Sequence, residues 1–182
     1  MRLEEMQRDM DRAYGAGATG VLVSGLVWCL AGAAGLLGGA WTAMLTLFFG
    51  GMLIFPLSVV LARAMGHSAR HAADNGLRHL ALESLALLFV GLFLAFSMAL
   101  REPAFFFPIM LLAIGARYLL FQTLYGRRSY WCLGALLMLA GALCLALKAP
   151  MLTGAFAGGV IEIGFALVLM QQVRAGAGGL RE

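Results

Sequence analysis

The chain alternates long apolar runs with short polar connectors. Six runs have the length of a membrane-crossing helix: 16–38, 41–64, 80–100, 105–125, 131–149 and 154–173. Each approaches or exceeds the ~20 residues that cross a ~30 Å hydrocarbon core at ~1.5 Å per residue. Strand-like alternation of apolar and polar positions is absent, so helices are expected over a barrel. Short connectors make neighbouring helices antiparallel. The predicted fold class is all-α: an integral membrane bundle of six transmembrane helices.

Residues 1–14 are polar, with Leu3, Met6, Met10 and Tyr14 at helical spacing. They predict an amphipathic lead-in that lies on the inner membrane surface or docks on the bundle. Its three Arg against four acidic residues weaken the lipid-surface reading. Residues 15–174 form the membrane domain, and the glycine-rich stretch 175–182 reads as a flexible cytoplasmic tail.

Composition agrees with this reading. Of 182 residues, 62% are hydrophobic and 12% charged, about half the charged share of a soluble domain. The mean hydropathy is +0.90. With the N-terminus inside, ten of the Lys and Arg residues fall on the inner side and two, Arg101 and Lys148, on the outer. That bias predicts both termini in the cytoplasm. Trp41 and Trp131 fall at the two interfaces, whereas Trp28 falls in mid-span. The net charge of +4 sits in connectors without interleaved aromatics, which excludes nucleic acid as a partner. Cys29, Cys132 and Cys144 have neither metal-ligand nor disulfide spacing.

Small residues are frequent in the runs, including Gly35-x-x-x-Gly39 and Gly154-x-x-x-Gly158. They let helix backbones approach closely. Packing within the chain is the primary expectation, and a second copy or another membrane helix is the alternative partner. Pro56 lies inside the second run. It removes one helical hydrogen bond and crowds the preceding turn, so the second helix is expected to be kinked or broken there, with Ser58 close enough to satisfy a freed carbonyl.

Three charges lie within the apolar runs: Glu83, Arg117 and Glu162. A charge at the bilayer centre costs about 2.5–3.5 kcal/mol on insertion scales, so it persists when paired, hydrated or functional. Glu162 is ~12 Å and Arg117 ~18 Å from the outer ends of two parallel helices, a separation an Arg–Glu pair bridges. Glu83 lies nearer the inner interface. Together with Tyr118 and Gln122 these residues define the candidate substrate- or ion-binding site. The alternative is a structural Arg–Glu clamp in a non-catalytic scaffold or assembly partner. Two groups of three spans with opposite topology would also suit the inverted repeats of transporters, with Glu83 and Glu162 in the third helix of each.

The connector after the second run carries His67, His71 and Asp74. On a helix these would share one face, which makes them a secondary metal candidate. No nucleophile elbow, phosphate loop or zinc-protease helix is present, so the sequence points away from an enzyme and implies no cofactor.

The stretches GATGVLVSGLVW at 17–28 and GGMLIFPLS at 50–58 resemble a family of small bacterial multi-pass membrane proteins of unknown function. The resemblance implies a bacterial inner-membrane setting and brings no catalytic residues. The functional expectation is a small membrane protein that binds or transports a small solute or ion.

Overall fold

The computed structural model describes residues 2–178. All regular elements among them are helical. Helix α1 is Leu3–Tyr14, α2 Ala18–Ala64, α3 Leu77–Ala99, α4 Phe106–Tyr125, α5 Ser129–Ala146 and α6 Met151–Gly178. Short 3-10 turns, Gly15–Gly17 and Pro103–Phe105, lead into α2 and α4. Helix α6 therefore continues to Gly178, into the stretch expected to be a free tail; residues 179–182 lie outside the described residues.

Five helical stretches are long and apolar enough to cross a membrane: Leu3–Ala64, Leu77–Ala99, Pro103–Tyr125, Ser129–Ala146 and Met151–Ala175. The outer surface is apolar as well. Leu37 is 93% exposed and Phe93 71% exposed, which is a large cost in water and none in lipid. Trp41 and Trp131 are half exposed.

Helix α2 has 47 residues, or about 70 Å of helix. It is interrupted at Gly39, where φ is 81° and ψ −172°. This positive-φ, extended region is open to glycine at no steric cost. Residues before and after the break face one another. Gly35 lies against Ala43, Gly50 against Val27 and Gly20 against Ser58. The two limbs of α2 therefore run antiparallel.

The torsional break is at Gly39, and the helix is not broken at Pro56. Helical torsions continue through Pro56, because the proline ring holds φ near the helical value. Ser58 Oγ donates to Phe55 O at 2.7 Å. The proline is exposed on the outer face of the helix.

Glycines set the helix–helix approaches. Gly25 of α2 meets Gly159 and Ile163 of α6, and Gly32 and Gly35 meet Phe156 and Leu152. Gly115 of α4 meets Gly134 and Met138 of α5, and Gly91 of α3 meets Ala113 of α4. Gly154 and Gly158 of α6 lie against Phe107 and Leu111 of α4. At Gly25, Gly159, Gly115 and Gly134 backbone atoms of the facing helix come close, and at Gly32, Gly35, Gly91, Gly154 and Gly158 a neighbour's side chain fills the space, which is how helices gain dispersion contact in lipid. Gly154-x-x-x-Gly158 is thus used inside the chain, whereas of Gly35-x-x-x-Gly39 Gly35 alone makes a close approach and Gly39 serves the break. The core between these seams holds Trp28, Phe106, Phe107, Leu111, Leu133 and Leu137, all fully buried.

Helix α1 docks on one end of the bundle. Gln7 Nε2 donates to Thr123 O at 2.8 Å. Arg127 of the α4–α5 connector makes a two-pronged ion pair with Asp11, through Nε to Oδ1 and through Nη2 to Oδ2 at 2.8 Å. The Ala69 N–H donates to Ala13 O at 2.8 Å. Asn75 is fully buried: its Nδ2 donates to Met6 O and to Asp9 Oδ2, and its Oδ1 accepts from the Leu77 N–H. The joint between α1 and α2 has three successive residues at positive φ, Gly15, Ala16 and Gly17. Ala16 is held in that costly conformation by full burial and by a hydrogen bond from Tyr130 Oη to its carbonyl at 2.6 Å.

Candidate functional site: a buried glutamate between α2, α4 and α6

Glu162 is carried into the protein by α6. Its neighbours Gly158 and Gly159 have no side chains, so α2 and α4 close in upon this turn of the helix. The result is 0% exposure at a carboxylate. Neither Oε1 nor Oε2 has a hydrogen-bond partner. Ser24 of α2 and Tyr118 of α4 are its adjacent polar side chains, and Arg117 acts on it through its charge. Both hydroxyls lie close enough to act on the carboxyl as hydrogen-bonding groups, but neither reaches full hydrogen-bond distance and angle. Trp28 Nε1, on the same α2–α6 seam, is a buried donor that also lacks a partner.

Unpartnered buried polar atoms are rare, because each forfeits its hydration without replacement. Here two acceptors and one donor remain free in one seam. The charged form of the carboxyl is the most expensive of these groups to bury.

Arg117 does not pair with Glu162. Among the described residues the ion pairs are Arg8–Glu4 and Arg127–Asp11. The Arg117 Nε donates to Ser84 Oγ of α3 at 3.1 Å, and Ser84 Oγ donates to Ala81 O at 2.7 Å. Its guanidinium also lies 5.2 Å from the Phe121 ring centroid, an attraction between a cation and a ring face. The expected match of depth is present, since Gly158 beside Leu111 puts Glu162 almost level with Arg117. The side chains diverge because Arg117 turns toward α3 while Glu162 turns toward α2. The direct clamp predicted from sequence is therefore not formed.

Glu83 leaves the cluster altogether. It is exposed on α3, whereas the next residue, Ser84, is buried and takes Arg117. One step along a helix turns a side chain by about 100°, so a one-residue offset exchanges inside for outside. Gln122 is half-buried; its carbonyl accepts from the Gly126 N–H that caps α4, and its Oε1 is 3.5 Å from Thr123 Oγ1. Tyr118 is the sequence-predicted residue that stays with Glu162.

Tyr118 also begins an aromatic column. Its ring stacks on Tyr130 at 6.0 Å, and Tyr130 stacks on Tyr125 at 5.5 Å. The column leads from Glu162 to the α1–α2 joint, where Tyr130 Oη is bonded to Ala16 O. Ser24, Ser84 and Tyr130 are not conspicuous in the sequence. Each is a small or aromatic residue in an apolar run, and only the helix rotation reveals that it faces a charge or a backbone carbonyl.

The histidine connector forms no metal-like arrangement. Residues 67–72 are not helical, so His67, His71 and Asp74 do not share a helix face. His67 packs on Gly15, and His71 Nδ1 is 3.1 Å from Tyr14 Oη. Among the described residues no three His, Cys, Asp or Glu side chains converge. Two clefts open elsewhere on the surface. One, of about 370 Å³, lies between α1 and Arg127, and one of about 410 Å³ is lined by Phe48, Phe89, Phe93 and Phe96. Glu162 lines neither.

These helices and their apolar exterior define the chain as a multi-pass membrane protein by length and composition. Residues 3–172 match a family of unknown function, DUF7010, and the chain belongs to that family. No curated protein and no solved structure matches it.

Proposed function

We propose that the chain is a bacterial inner-membrane protein of six crossings that binds or transports a small solute or ion at Glu162. The two antiparallel limbs of α2 supply two of the crossings. Ten basic residues on one side against two on the other support a topology with both termini in the cytoplasm. Tyr118 and Ser24 line the site with Glu162, and Arg117 sets its local field from the α3–α4 side. The observation that carries this reading is the pair of Glu162 oxygens, fully buried and without partners. A carboxyl in such a place is retained at a cost that structure alone does not repay. The alternative of an Arg–Glu clamp in a scaffold lacks its contact, because Arg117 is bonded to Ser84.

The test is flux in liposomes. The full chain is reconstituted, and proton, Na⁺ and K⁺ movement are read with entrapped dyes for wild type, Glu162→Gln and Arg117→Ala. Loss of movement in Glu162→Gln, with a folded protein, is the expected outcome. Flux that is the same in all three, or the same as in empty liposomes, would refute the proposal.

A further inference from the structure

We infer that the species Glu162 exchanges is a proton, taken and released by the carboxyl itself, and not a coordinated metal cation. The inference rests on the reading of Glu162 as the working group of the site. Its grounds are the ligand set and the surroundings of the carboxyl.

A hard cation needs many oxygens. Ca²⁺ takes about 6–8 and Mg²⁺ about six in near-octahedral array. The groups facing Glu162 supply far fewer. From α2 come the Ser24 hydroxyl and, across Gly159, the Cys29 thiol. From α4 come the Tyr118 hydroxyl and the Arg117 guanidinium. The Tyr130 hydroxyl of α5, behind Tyr118, is already committed to Ala16 O. Among the described residues no second carboxylate acts on Glu162, and no group of three His, Cys, Asp or Glu side chains forms. The one fixed charge in range is positive, so it opposes the entry of a second cation.

A proton has none of these requirements. It needs one lone pair, and Glu162 offers several on two free oxygens. Proton uptake removes the charge, which is the cheapest answer to burial in a low dielectric. The neutral carboxyl then has an O–H donor and a carbonyl acceptor, and both adjacent hydroxyls can complement either. The step balances simply: the carboxylate gains a proton from solvent, and its charge goes from −1 to 0. Release to solvent reverses it. Arg117, held on Ser84 at nearly the same depth, lowers the cost of the ionised state while keeping clear of the oxygens.

Infrared spectroscopy of the full chain in lipid tests this directly, because a protonated carboxyl has a carbonyl band that a carboxylate lacks. Spectra are taken from about pH 6 to about pH 9, the range in which buried carboxyls are known to titrate. The expected result is a protonated-carboxyl band that falls as pH rises, returns on acidification, and is unmoved by exchanging Na⁺ for choline. Glu162→Gln removes the band. Glu162→Asp, which keeps the carboxyl, shifts it and keeps the assignment secure if the Gln variant does not fold. A folded wild type without the band across this range overturns the inference, as does a band that Na⁺ abolishes at fixed pH. Flux lost in Glu162→Gln without any such band leaves the site reading intact and removes the proton. A titrating band with flux indifferent to Glu162 does the reverse.

Discussion

Replacing Gly159 with alanine puts a methyl group into contact with Cys29 Sγ, 2.9 Å from Gly25 O and 3.0 Å from Cys29 N. Two of these three neighbours are backbone atoms of α2, so no rotamer change relieves them and the helices must part. Overpacking of this kind costs up to about 3 kcal/mol. Alanine recovers about 1 kcal/mol in helix propensity. The net expectation is a loss of about 2 kcal/mol. Gly164 supplies the control within the same helix. A methyl there meets nothing within 4 Å, so Gly164→Ala should be neutral or gain up to about 1 kcal/mol. The two variants therefore differ by about 3 kcal/mol. Reversible unfolding in bicelles, with wild type alongside, measures the difference. If Gly159→Ala is as stable as Gly164→Ala, the α2–α6 seam is not closed at Glu162, and the argument from burial falls with it.

Two further outcomes concern the docking of α1. Asp11→Asn converts a two-pronged ion pair into a weaker bond and leaves Arg127 without its counter-ion. Both partners are about three-quarters buried, so a loss of about 1.5–3 kcal/mol in α1 docking is expected. Limited proteolysis reads it as faster cleavage near Gly15–Gly17, and a rate equal to wild type would count against the clamp. Asp9 gives a pH dependence. Burial pushes its carboxyl up, but the Asn75 amide, the Ala72 N–H and the charge of His71 together hold it below its ordinary value. A lowered folded value means its stabilising contribution is present at neutral pH. That contribution is lost in acid, as pH drops below the unfolded value of about 3.9 and through the folded one. The melting-temperature gap between wild type and Asp9→Asn should therefore be widest near neutrality and close in acid; a constant gap would contradict the assignment.

The apolar helices are legible in the sequence because lipid demands long uninterrupted apolar runs, and the 38–41 boundary coincides with the torsional break at Gly39. Glu162 is legible for the same reason, as a charge whose cost stands out against its neighbours. The partner of Arg117 is not. Depth follows from counting residues, but rotation about the helix axis does not. In a soluble helix the polar stripe reveals rotation. Here the lipid-facing side is as apolar as the core, as Leu37 and Phe93 show, so nothing in the sequence says that Ser84 faces inward and Glu83 outward. Proline costs its helix one hydrogen bond and crowds the preceding turn of that same helix. At Pro56 the helical torsions nonetheless continue, so the cost is absorbed without a break, and the sequence alone does not show where it will be absorbed. Asn75 looks like a turn residue, and its burial depends on α1 arriving from 66 residues away.

The docking of α1 also fixes an order of events. Its partners are Ala69, Asn75, Thr123 and Arg127, and Arg127 in turn reaches Gln172 Oε1 at 3.4 Å. All of them follow α1 in the chain, two by 116 residues. A segment synthesised before its partners thus finds its seat late. Until α4 has been laid into the bilayer, α1 has no guanidinium to bind, and its polar face is free for chaperones or proteases. A seated α1 is therefore a sign that assembly has proceeded through four-sixths of the helices, which makes its protection from cleavage a clock for biogenesis.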